Sequence, residues 1–253
     1  MKEIFEMIRR QEILAWYGFL CLLGTLVCGY LMRTQPDQIL GVSAWLKPFK
    51  FFLSVVLFVW TMAFFLNYLE HPIQELIYSI SAVVFFSIEL VIIVYQAAQG
   101  KLSHFNTATP LDQFLFNLMA LAITVLMLHT VYLAFLFYQQ SQATTTLLPF
   151  SIAVAISITV IFAFEGFIMG ALLQHTVGAA DGQSGLPVLN WSTRAGDLRV
   201  AHFFGIHALQ LVPFLSYYIA QTKRDVLIIA LLYGIGVTYT LFQALRAKPF
   251  ISL

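Results

Sequence analysis

Five ionisable side chains stand inside long apolar runs of this chain: Glu89, His129, Glu165, His202 and His207. A charge within the hydrocarbon of a bilayer costs a few kcal/mol even on insertion scales, so each such residue needs a reason to be there. Measured from the ends of their runs at roughly 1.5 Å per helical residue, Glu89 lies about 12 Å, Glu165 about 10 Å and His207 about 13 Å from one membrane face. Two carboxylates and an imidazole in one layer make a plausible inner shell for zinc or non-haem iron, with His202, or else His104 or His175 of a loop, as a fourth ligand. Such a metal would activate water or polarise a carbonyl or phosphoryl group, and Glu89 and Glu165 would serve as the catalytic carboxylates of a membrane-embedded hydrolase or oxidoreductase.

A shallower ring of polar groups accompanies that layer. His202, Asn117 and Gln243 come out at roughly 6–8 Å from the same face. Above them, Lys50, Arg194 and Arg199 are placed to hold an anionic group, and His104, Asn106 and Gln210 to add polar contacts to a substrate. His202 and His207 are five residues apart, about 140° around a helix, so they cannot converge on one narrow point. His207 and Gln210, at i and i+3, share a face. His207 or His202 could instead be an axial ligand of haem b, although no CxxCH stands in the chain for covalent attachment. A reading from another class makes Glu89 and Glu165 proton carriers beside His207, in a proton-coupled transporter of small molecules or a membrane sensor. His129 reads as a satisfied buried histidine.

The elements that must position these groups follow from composition. The chain has 253 residues, 60% hydrophobic and only 10% charged, with a mean hydropathy of +0.85. A soluble core cannot hide that much apolar surface, whereas a bilayer accepts it. The net charge of +1 gives no basic footprint for nucleic acid. Seven runs reach the roughly 20 residues needed to span: about 13–32, 49–69, 73–97, 111–138, 147–172, 198–220 and 225–247. The expected fold is therefore all-α, a single seven-helix transmembrane bundle, with residues 1–12 as a short interfacial helix. No internal repeat is evident. Cys21 and Cys28 are seven residues apart on one run, about 10.5 Å of rise and too far to bridge.

The first, third and fifth connections are long and share one face. The fifth, about 174–197, is the longest, and Asp197 stands where an N-cap for the sixth span belongs. Gly166 and Gly170 have the spacing of close helix packing. The long-loop face carries eight of the 13 Lys and Arg residues, which by the positive-inside rule places it in the cytoplasm and the N-terminus outside. The expected partners are the lipid bilayer and a lipid or hydrophobic small molecule, with a second copy of the chain as an option.

Overall fold

The computed structural model describes residues 10–252. Eight helices account for nearly all of the regular structure among them: α1 (Glu12–Thr34), α2 (Leu46–Leu66), α3 (Pro72–Ala98), α4 (Pro110–Ala143), α5 (Leu148–Leu172), α6 (Leu198–Ile206), α7 (Ala208–Ile219) and α8 (Lys223–Leu245). Six are long and apolar enough to cross a membrane, and α6 with α7 makes a seventh span if the bent pair is counted as one. The chain is a helical, multi-pass integral membrane protein. Most of the expected interfacial helix, residues 1–9, lies outside the described residues.

The helix starts carry ordinary chemistry. Proline opens α3 and α4 and lies in the first turn of α5, where its missing N–H is not needed and its fixed φ suits a helix. Thr222 and Asp225 form a reciprocal capping box on α8, which satisfies two otherwise orphaned donors. Two antiparallel strand pairs organise the first and fifth connections. β1 (Gln38–Ile39) pairs with β2 (Val42–Ser43), and β3 (Thr176–Val177) pairs with β4 (Gly196–Asp197).

The chain divides into two compact units, residues 1–129 and 130–253, with the boundary inside α4. In the first unit α1 lies along α2, and α3 packs against both. The close approach needs Gly18, because a Cβ there would collide with the Trp60 indole, whose Nε1 donates to Ala15 O (3.2 Å). At one end of this unit Arg10 donates to Asn67 O (2.7 Å), Leu69 O (3.1 Å) and the buried Glu75 (3.1 Å). In the second unit α5 packs against α6, α7 and α8. Buried Ala155, Ala208, Val212 and Ala230 form its centre, small side chains that let helices approach without a hydrophobic drive from lipid.

The sixth span departs from the straight helix expected over 198–220. It breaks at His207, and its halves bend by 48°. Gln210 N–H turns back to His207 O (3.1 Å), and Ile206 O accepts from Thr159 Oγ1 of α5 instead (3.3 Å). Phe204 O accepts from Tyr233 Oη of α8. Side chains of neighbouring helices thus satisfy the carbonyls around the break, the condition under which a membrane tolerates one. Gly205 precedes the break with Phe162 packed where a Cβ would stand, and Pro213 lies inside α7.

Candidate functional site

Each unit buries one glutamate in the second half of a long helix and sets a histidine against it. In the first unit Glu89 of α3 is 4% exposed, and its Oε1 lies 3.2 Å from His104 Nε2, in the loop after α3. Ser103 Oγ is 3.2 Å from His104 Nδ1. The tautomer that lets Nε2–H donate to Glu89 leaves Nδ1 to accept from that hydroxyl. Glu89 Oε2 is buried without a hydrogen bond. Three phenyl rings, of Phe51, Phe105 and Phe116, stand 5.6, 6.1 and 6.1 Å from the imidazole.

In the second unit Glu165 of α5 is 6% exposed, with Oε2 3.4 Å from His202 Nδ1 of α6. The two atoms are within ion-pair range but not aligned as a hydrogen bond; both, together with Glu165 Oε1, are buried without a hydrogen-bond partner. The adjacent Gly166 lies against the ring: a Cβ there would stand in van der Waals contact with His202 Cε1, at 3.4 Å. Of the two glycines at 166 and 170, Gly166 faces a neighbouring helix through this contact with His202. His207, at the break, does not join this pair: its Nδ1 is 3.1 Å from Gln210 Oε1, and its ring packs on Phe203 at 4.4 Å. The expected i, i+3 pairing holds.

Each unit also holds a buried aspartate paired with a cation. Asp112, at the start of α4, accepts from Gln96 Nε2 (2.9 Å) and Thr109 Oγ1 (2.7 Å) and lies 3.6 Å from Lys101 Nζ. Asp197 caps α6 through the Arg199 N–H (3.1 Å) and receives Arg199 Nε (2.9 Å), Arg199 Nη2 (2.6 Å) and the Ser192 N–H (2.8 Å). Burial opposes the charged form of Asp197, but the hydrogen bonds and charge of Arg199, with help from Ser192 and His175, outweigh it and hold the carboxyl below its ordinary range. Arg199 also donates to Asn190 O, so the guanidinium expected to grip a substrate anion is engaged within its own loop.

The remaining expected residues are placed as follows. Asn106 donates to Leu102 O (2.9 Å) and accepts from the Ala108 N–H (3.1 Å), which shapes its loop. Arg194 is exposed and Lys50 half-buried. His175 is 3.2 Å from Asp181. His129 packs edge-on against the fully buried Tyr78 at 5.1 Å. Of the four ligands expected for a metal, Glu165 and His202 meet, Glu89 has His104 as its neighbour, and His207 has Gln210. Among the described residues no three His, Cys, Asp or Glu side chains form a group able to hold a metal ion.

Sequence reading missed Asp112, Glu75 and Ser103. Thr109-Pro-Leu-Asp112 has the form of a capping box, a signal that was available. Nothing local marks Glu75 as the partner of Arg10, 65 residues away. No protein family, curated protein or solved structure matches the chain.

Proposed function

We propose that this membrane protein is a proton-coupled transporter of small molecules, with Glu89–His104 and Glu165–His202 as its proton-binding pairs. The observation that carries the reading is the recurrence, one in each unit, of a buried glutamate within 3.2–3.4 Å of a histidine. A carboxyl and an imidazole this close can share a proton, as acid with neutral ring or as carboxylate with imidazolium, once the Glu165–His202 pair turns into the alignment of a hydrogen bond. Either state avoids an isolated charge in a low-dielectric interior. The broken sixth span adds support, because transporters place sites at discontinuous helices. The long-loop face, with eight of 13 basic residues, is the cytoplasmic one.

The test is proton movement into liposomes that hold the purified chain and an internal pH dye, with a pH step as the drive. Flux should fall at least tenfold in both Glu89→Gln and Glu165→Gln while helical content is kept. Wild-type flux no faster than in empty liposomes, or unchanged in both variants, would overturn the reading.

One observation favours a second reading. Glu165 Oε1, Glu165 Oε2 and His202 Nδ1 are three buried ligand atoms without hydrogen bonds, a donor set suited to zinc or iron in an enzyme acting on a lipid or other hydrophobic molecule. These two side chains would need a further donor from the substrate or solvent. Near-stoichiometric zinc or iron by elemental analysis, lost in Glu165→Gln, would favour this reading over transport.

A further inference from the structure

We infer that the first unit holds a binding site for a hydrophobic organic ammonium ion, with Glu89 as its anion, Phe51, Phe105 and Phe116 as its aromatic walls, and the groove between α3 and α4 as the berth for its apolar part. The inference deepens the transport reading and rests on it for what happens after binding.

Three features point to that ligand class. Glu89 is buried, with its side chain 5% exposed, and only its Oε1 is engaged, by His104; Oε2 has no hydrogen bond. A carboxylate oxygen in an apolar interior calls for a donor, and an ammonium N–H supplies both donor and charge. The phenyl rings around His104 offer the π-faces that attract weakly hydrated organic cations. Calcium and magnesium fit poorly, because they demand about six oxygen ligands, which one carboxylate and the Ser103 hydroxyl do not provide. The nearest lysine of the loop, Lys101, has Asp112 as its partner at 3.6 Å.

The third feature is access. A groove of about 260 Å³, lined by Val91, Ile92, Tyr95, Leu111 and Leu115, lies between α3 and α4. Ile92 is one helical turn from Glu89 and packs in one cluster with Phe51, Leu115 and Phe116, so two of the groove's lining residues, Ile92 and Leu115, pack with the aromatic walls. Phe105 holds a left-handed backbone (φ 61°) beside His104, a conformation that costs a non-glycine residue of order 1 kcal/mol and gathers at binding sites. Charged and titratable groups on the elements that build the site include His104 and Lys101 of the loop, Asp112 of α4, and Lys50 and Lys47 of α2, the last with its Nζ over the Phe51 ring at 5.7 Å. A protonated Glu89 carboxyl offers an ammonium no charge, so the cation and the carboxyl proton exchange at that side chain. That exchange is a coupling in itself.

The experiment measures equilibrium binding of labelled phenethylamine to the full chain in lipid nanodiscs, with empty discs subtracted. Saturable binding is expected, at least tenfold weaker in Glu89→Gln and not displaced by its neutral counterpart 2-phenylethanol. Non-saturable uptake by the wild type, equal affinity in Glu89→Gln, or equal displacement by the alcohol would overturn the inference. The alcohol competition needs no variant, so a Glu89→Gln chain that fails to fold does not remove the test. An infrared titration of the Glu89 carboxyl in the same discs separates the two claims. A titrating carboxyl without amine binding sinks this inference and leaves proton binding standing; Glu89-dependent amine binding with a silent carboxyl does the reverse.

Discussion

Replacing Asp197 by Asn strikes the loop that sets His202 against Glu165. Asp197 is 1% exposed and receives four hydrogen bonds, three of them from Arg199. An amide keeps the size but removes the charge and can accept at only one of its two positions. Arg199, with 24% of its side chain exposed, then keeps a partly buried positive charge without its counter-ion. Breaking such a pair from one side costs about 3 kcal/mol, near the low end for buried pairs because Arg199 retains some solvent. At 1.4 kcal/mol per tenfold, the unfolding equilibrium should shift by roughly a hundredfold. Trp191 reports on the region, being 6% exposed and set against Phe203, Phe204 and Phe250. A chain with Trp16, Trp45 and Trp60 replaced by Phe would isolate its fluorescence during denaturation in detergent.

The pH dependence of this contribution has a definite sign. The folded chain holds the Asp197 carboxyl below the ordinary value of 3.8, so the unfolded chain binds that proton more tightly. The stabilisation is complete above pH 3.8 and disappears as pH falls through the lower folded value. The Asn variant should therefore lose the wild type's extra acid sensitivity in that window. A destabilisation under about 1 kcal/mol, the level of an exposed pair, would refute the reasoning.

Three other perturbations separate scaffold from site. Gly166→Val should push the His202 ring away from Glu165 and reduce proton flux at least fivefold with little change in helical content by circular dichroism. Thr159→Val removes the hydroxyl that Ile206 O accepts from and should cost about 1 kcal/mol in the same denaturation assay. His129→Ala should cost about 1–2 kcal/mol through lost packing on Tyr78, with flux retained; a well-folded variant without flux would show that His129 belongs to the site.

Much of the scaffold is legible along the chain because membrane spans are marked by composition and their ends by local chemistry. The prolines at 72 and 110, the Thr222–Asp225 box and the Asp197 cap each act within a few residues, as does the His207–Gln210 pair. The break in the sixth span was not legible, because the groups that make it tolerable, Thr159 and Tyr233, lie on other helices. Depth counting placed Glu89, Glu165 and His207 in one layer but could not say which side chain each would meet. Glu89 meets a histidine 15 residues on in the sequence and Glu165 one 37 residues on, so the recurring Glu–His arrangement has no common spacing to betray it. Arg199 read as a free cation because its acid, Asp197, is only two positions away and looked fully used as a cap.

Infrared difference spectroscopy of the carboxyl groups is the most direct measurement of the proposed proton binding. Spectra of the chain in nanodiscs would be recorded while pH is cycled between about 5 and 8, the range of an unperturbed imidazole. A protonated-carboxyl band that comes and goes with pH, vanishes in Glu165→Gln and shifts in His202→Phe would confirm that this pair takes up a proton. A pH-silent spectrum, or a titrating band unchanged by both substitutions, would contradict it.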